Sequence, residues 1–291
     1  MKEKIVAVIA VVIMASISWS GCITETPPGN IQKFEVHEWG VFLKGYNCTN
    51  ASVVAKSPVT LYVKKPVIYF HSIENSTDVN VEIQSIKNAT VIPNATVEND
   101  MIIWDVTVEN DTIILQNGTQ YPYLFYEGET TCSSAIISNI TIDEKNTTYY
   151  IKNIANYPIS NVFFIYTRYG DFISSADDRL EYIYFGELQP GDEKTIVNSS
   201  SEEIVNITEA KNTIRNTLIS DGLTIAESNE LINYWEAYWF SPSNIGEYTR
   251  VLYIIPQSIY DQLFPLSVTP QPEMIKRVGI FTITDIPIEI A

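Results

Sequence analysis

Strict alternation of apolar and polar residues over short runs constrains this chain more than any other feature. Val79-Asn80-Val81-Glu82-Ile83 alternates, and so does Ile102 to Val108, which puts Trp104 on the apolar side. Successive side chains of a strand point to opposite faces, so a period of two marks a half-buried strand. Val67 to His71, Ile113 to Leu115 and Tyr121 to Tyr126 are shorter runs of the same kind. Turn chemistry separates them: Asn110-Asp111 falls between two apolar runs, and Asn117-Gly118 is a hairpin dipeptide. Short strands with frequent turns predict an antiparallel β-sandwich.

The pattern continues through Tyr149 to Asn153, Asn161 to Thr167 and Glu181 to Phe185. Gly186-Glu187-Leu188-Gln189-Pro190-Gly191 resembles the turn before a late strand in immunoglobulin-like surface modules, so the second half is expected to be immunoglobulin-like. The period then changes. Ile207, Ala210, Ile214 and Leu218 recur at helical spacing, and Gly222 is a helix stop. Thr224 with Glu227 forms a capping box for a second helix, whose Leu231, Trp235, Tyr238 and Trp239 share one face. These predict a helical hairpin. Val251 to Ile255 and Arg277 to Thr284 return to strand. The expected organisation is a signal over 1–22, a tether over 23–31, an N-terminal β domain over 32–135, and a β-sandwich over 136–291 with a helical insert at 206–240. The βαβ alternation of a doubly wound solute binder is missing.

The N-terminus points to export. Lys2 and Lys4 precede an uncharged run from Ile5 to Ile17, and Ser20-Gly21 stands before Cys22. A basic start, an apolar stretch and small residues describe a secretory signal. A small pair before cysteine is lipobox-like, which makes Cys22 the lipid attachment site, although Trp19 stands where an aliphatic residue is usual. Two other readings stay open. Ile5 to Ile23 approaches the roughly 20 residues of a membrane span, which would be an uncleaved anchor, and the signal could be cut to free the chain. With Cys22 lipidated, Cys48 and Cys132 remain as an even pair, expected to form a disulfide in an oxidising compartment, with separate buried thiols as the alternative.

Eleven Asn-X-Ser/Thr sequons begin at Asn47, Asn50, Asn75, Asn88, Asn94, Asn110, Asn117, Asn139, Asn146, Asn198 and Asn206. The Asn, Ser and Thr content alone would yield about four, so glycosylation in an exported chain is expected. Dense sequons with abundant isoleucine and asparagine suggest an archaeal source. None falls in 207–291, so an envelope-protein or glycan partner is expected on the C-terminal half. The formal charge of −17 excludes a nucleic-acid partner, whose phosphates need a basic footprint.

Chemistry is sparsely signalled. No cofactor motif is present: phosphate loops, CxxC pairs and a G-x-S-x-G elbow are all missing. Val36-His37-Glu38-Trp39-Gly40 is the most distinctive stretch. As a strand it sends Glu38 to one face with Phe34, Val36 and Phe42, and His37 to the other with Trp39 and Val41. The two cannot share a metal, and Val41 stands where H-E-x-x-H needs its second histidine, so no metal ligand set is expected. Glu38 among apolar neighbours is either a functional carboxylate or one held in a salt bridge. Glu38, His37 and Arg250 are the catalytic candidates of a glycan- or peptide-directed hydrolase; Trp235 and Trp239 are binding candidates, with a core role as the alternative.

VHEWGVF at 36–42, KKPVIYF at 64–70, WDVTV at 104–108, YLFYEGE at 123–129 and YTRVLYIIP at 248–256 occur in an order that resembles an uncharacterised family of exported proteins. The resemblance spans about residues 34 to 282. It departs at Val41, where threonine is usual, and in the sequon load. It implies export, and it carries no activity or catalytic residues over to this chain. The expectation is therefore a membrane-tethered cell-surface glycoprotein on the extracellular face, binding or envelope-structural, with a secreted hydrolase as the rival.

Overall fold

The computed structural model describes residues 32–44, 59–73, 75–132, 136–142, 147–169, 179–198, 207–240 and 246–284. These are mostly strand, in several largely antiparallel sheets, with three helices. Eight strands form the central sheet: β1 (Gln32–Lys44), β2 (Val59–His71), β4 (Lys87–Ile92), β9 (Leu124–Cys132), β12 (Ile159–Tyr169), β13 (Arg179–Leu188), β15 (Gly246–Ile255) and β17 (Pro272–Thr284). Their order is β13-β12-β15-β17-β1-β2-β9-β4. A second sheet contains β3 (Thr77–Gln84), β5 (Thr96–Glu98), β6 (Met101–Glu109), β7 (Thr112–Ile114), β8 (Gln120–Tyr121) and β16 (Leu266–Thr269). A third contains β10 (Ile136–Ile142), β11 (Thr147–Asn153) and β14 (Glu193–Asn198).

Two expectations are corrected here. The middle of the central sheet is parallel, because β1 pairs with β17 with Glu38 opposite Arg277. The division at 135/136 also fails to separate two cores: the central sheet draws four strands from each side of it. The reason lies in β1. Phe34 and Val36 to Phe42 are buried whichever face they take, so the strand needs a layer on each side and a ladder on each edge to satisfy its backbone N–H and C=O groups.

Alternation on β1 sorts those layers. Phe34, Val36 and Phe42 enter a core shared with Val81, Trp104, Tyr149 and Ile151 of the smaller sheets. Trp39 and Val41 enter a core shared with Ile214, Leu231, Trp235 and Trp239 of the helices. The small sheets thus cover one face of the central sheet and the two long helices cover the other.

Local signals account for the helices and turns. α1 (Ile207–Ser220) ends where Gly222 takes φ +107°, with Leu223 N–H donating to Leu218 O at 3.1 Å and Gly222 N–H to Ile219 O at 3.0 Å. That is a Schellman stop. α2 (Ile225–Phe240) starts with the expected box: Thr224 N–H donates to Glu227 Oε2 at 2.7 Å, and Glu227 N–H to Thr224 Oγ1 at 3.2 Å. Arg215 Nε donates to Asn229 Oδ1 at 2.6 Å between the two helices. Asn110 and Asp111 both have positive φ in the β6–β7 turn. A third helix, α3 (Gln257–Leu263), lies outside the expectation, since seven residues are too few to show a helical period.

Gly128 on β9 marks a close approach. A Cβ there would lie 2.7 Å from the Lys87 carbonyl of neighbouring β4 and 2.5 Å from Ile86 Cγ1. Backbone cannot yield as a side chain can. Gly128→Ala is expected to cost about 1–3 kcal/mol, read as a lower urea midpoint with an unchanged slope.

Candidate functional site

The register of β1 on β2 sets Glu35 opposite His71 and His37 opposite Tyr69. All four are on the helix-facing side, so the only two histidines of the chain become diagonal neighbours, with ring centroids 4.4 Å apart. Above them lies the first turn of α2. Glu227 occupies the buried stripe that continues through Leu231 and Trp235. Its carboxylate spans both imidazoles: His37 Nδ1 lies 3.1 Å from Oε2 and His71 Nε2 lies 2.7 Å from Oε1. Glu35 Oε2 stands 3.4 Å from the other nitrogen of His37. His37 and Glu227 are buried, while His71 and Glu35 have side chains 28% and 38% exposed, which opens the cluster to solvent on one side.

Charge in this cluster is fixed by mutual contacts. Burial works against ionising Glu227, but hydrogen bonds from His37, His71 and the Thr224 N–H outweigh it and hold the carboxyl below its usual range. The Glu227 hydrogen bond raises His71 above the ordinary imidazole value, against desolvation, with Asp111 and Glu35 adding to the rise. One turn on, Glu230 accepts from Tyr69 OH at 2.7 Å and has Lys65 Nζ at 3.8 Å. Burial and then the Glu230 contact push the Tyr69 phenol upward, so it stays a donor.

A second buried polar group lies on the opposite face of β1. Glu38 Oε1 accepts from Tyr126 OH at 2.5 Å and Tyr260 OH at 2.8 Å, and Oε2 accepts from Arg277 Nε at 2.6 Å. Arg277 Nη1 donates to Asp261 Oδ1 at 2.9 Å and to the Phe264 carbonyl at 2.7 Å. Burial would lower the guanidinium pKa, but Glu38 reverses that and raises it. Both Glu38 oxygens are committed inside a closed core, so the salt-bridged alternative describes it.

The hydrolase candidates are therefore not one site. His37 and Glu38 diverge as alternation required. Arg250 is on the helix face, with Nη1 donating to Thr167 Oγ1 at 3.3 Å and its guanidinium 5.9 Å from the Tyr238 ring. It pairs with Thr284, whereas His37 pairs with Lys276, a displacement along β17 of about 26 Å at 3.3 Å per residue. The binding candidates are corrected as well. Trp235 and Trp239 are 6% and 0% exposed, because their helical spacing turns both toward the sheet.

The expectation of no metal ligand set is also revised. One donor atom each from His37, His71 and Glu227 lie within 4.8 Å of one another. In the sequence Glu227 shows only as a cap. A carboxylate at the head of an apolar stripe requires a buried partner, and that was the available signal.

No protein-family model matches the chain, and no curated protein matches it. Among solved structures it is similar to the yeast delta-COP-I mu-homology domain with a Dsl1 WxWxV peptide, at 6% identity over 87% of this chain and 96% of that chain, TM-score 0.35. The same yeast domain without peptide gives 6% identity over 87% and 95%, TM-score 0.38. The Danio rerio Fcho1 mu homology domain with a bound Eps15 peptide gives 6% over 87% and 96%, TM-score 0.39. Similarity at this level fixes neither family nor function.

Proposed function

We propose that this chain is a membrane-tethered cell-surface glycoprotein whose folded part, a β-sandwich carrying a helical hairpin, serves as a binding or envelope-structural protein. The observation that carries the reading is the placement of its sequons. Asn75, Asn88, Asn94, Asn110 and Asn117 are all exposed, as glycan attachment requires. Asn47, Asn50, Asn146 and Asn206 lie outside the described residues, as do the side chains of Asn139 and Asn198. The tether rests on the Lys2–Cys22 segment, also outside them, and so are Cys48 and the side chain of Cys132, which bear on the disulfide. Among the described residues no helix is long and apolar enough to cross a membrane. The helix surface supports the partner side: Tyr234 and Tyr238 on α2 are 53% and 37% exposed in a region free of sequons, and aromatic residues of this kind suit a glycan or protein contact.

Mass spectrometry of the protein purified from its own membranes tests this. The expected result is an N-terminal peptide starting at a lipid-modified Cys22, with glycan mass on Asn75, Asn88, Asn94, Asn110 and Asn117. A soluble chain carrying neither lipid, uncut signal nor glycan would overturn the reading.

A further inference from the structure

We infer that His37, His71 and Glu227 form a zinc-binding site on the helix face of the central sheet. The site does not depend on whether the chain is tethered or glycosylated.

Three elements converge on the site, and each is fixed by something other than the cluster. β1 and β2 hold the histidines by their ladder register. α2 delivers Glu227 through the capping box, so the carboxylate is anchored before it meets either ring. A tetrahedral zinc with bonds of about 2.0–2.1 Å needs its donors about 3.3 Å apart. His37 Nδ1 lies 3.1 Å from Glu227 Oε2 and His71 Nε2 lies 2.7 Å from Oε1, so the two rings meet different oxygens of the carboxylate. With one donor atom taken from each residue, all three lie within 4.8 Å of one another, and the set has to contract from at most that distance to reach zinc spacing.

The donor chemistry selects the ion. Two imidazoles and one carboxylate suit zinc, whereas calcium and magnesium take oxygen ligands. Three protein ligands leave a fourth position for water, as in sites that keep an open coordination position. His37 also has a partner on each ring nitrogen: Nδ1 faces Glu227 and Nε2 faces Glu35 at 3.4 Å. A proton on Nε2 directed at Glu35 leaves the Nδ1 lone pair for the metal, and a carboxylate behind a ligating imidazole orients the ring. Glu35 is thus a positioning residue. The partly exposed His71 and Glu35 provide the entry path, and a net charge of −17 raises the local concentration of cations.

The alternative is a metal-free hydrogen-bonded cluster, and titration of the full mature chain decides between them. The protein is stripped with a chelator and dialysed, then titrated with Zn2+ against a chromophoric competitor and separately with Co2+. The expected result is one zinc per chain and the visible absorption of four-coordinate cobalt. His71→Asn should weaken zinc binding by at least about 100-fold, and Glu35→Gln by about 10–100-fold while the cobalt spectrum persists. The apo melting temperature of His71→Asn should stay within a few degrees of the parent, because that side chain is partly exposed. Failure of the parent chain to bind zinc stoichiometrically would overturn the site, and so would equal binding by His71→Asn. Should His71→Asn not fold, the parent's stoichiometry, its cobalt spectrum and the Glu35→Gln affinity decide the matter.

Discussion

Glu38→Gln is expected to destabilise the protein by about 3–5 kcal/mol, the cost of leaving one partner of a buried ion pair uncompensated. The amide is nearly isosteric, so shape is not the cause. The substituted side chain would still have one oxygen able to accept from the Tyr126 and Tyr260 hydroxyls, which now meet Glu38 Oε1 at 2.5 and 2.8 Å. Its nitrogen, however, would then face Arg277 Nε, which now donates to Oε2 at 2.6 Å. Two donors would confront each other in a closed core. As hydrogen-bond acceptors for its guanidinium, Arg277 would keep only Asp261, whose side chain is 48% exposed, and the Phe264 carbonyl. The melting temperature should fall by about 6–20 °C at roughly 2–4 °C per kcal/mol. Joining Glu38→Leu to Arg277→Met removes both charges and should cost clearly less than the two single changes added together. Zinc affinity of the folded Glu38→Gln protein should be unchanged, since the pair and the histidine cluster occupy opposite faces of β1. An unaltered melting temperature would mean that Glu38 is not structural.

What was legible in the sequence follows the range of each signal. Alternation needs only neighbouring residues, so the divergence of His37 from Glu38 and the apolar face of Trp104 could be read directly. The capping box of Thr224 and Glu227 spans four residues and was also readable, as was the stop at Gly222. The pairing of β1 with β17 was not, because 239 residues separate Glu38 from Arg277 and no turn connects their strands. The candidate site failed to appear for the same reason. His71 is 156 residues from Glu227 and His37 is 190 residues from it. His37 stands in the most distinctive stretch, His71 ends an apolar run and Glu227 belongs to a capping box, but that they meet depends on sheet register and on which face α2 covers. The split of Tyr121–Tyr126 between β8 and β9 has a local cause: the strand breaks after Tyr121, and its two parts join different sheets.

Trp239→Ala is the second large effect expected, at about 3–5 kcal/mol for a buried aromatic truncated to a methyl group. Trp239 is fully buried, stacks on Trp235 with centroids 6.1 Å apart, and shares a core with Trp39, Val41 and Leu252 of the central sheet. Its loss would leave a void between layers that relax little, because the sheet below is held by ladders on both sides of β1. Tyr234→Ala on the outer side of the same helix should behave differently. The ring is 53% exposed, and Lys65 Nζ lies 3.7 Å from its centroid. Losing that cation–π contact costs about 1 kcal/mol or less. The contrast separates two meanings of an aromatic helix. A partner that binds the intact protein but not Tyr234→Ala contacts α2 directly, whereas loss of binding in Trp239→Ala reports only that the helix no longer sits on the sheet. Urea denaturation of the two variants side by side checks the difference, and equal destabilisation would contradict the placement of Trp239 against the sheet.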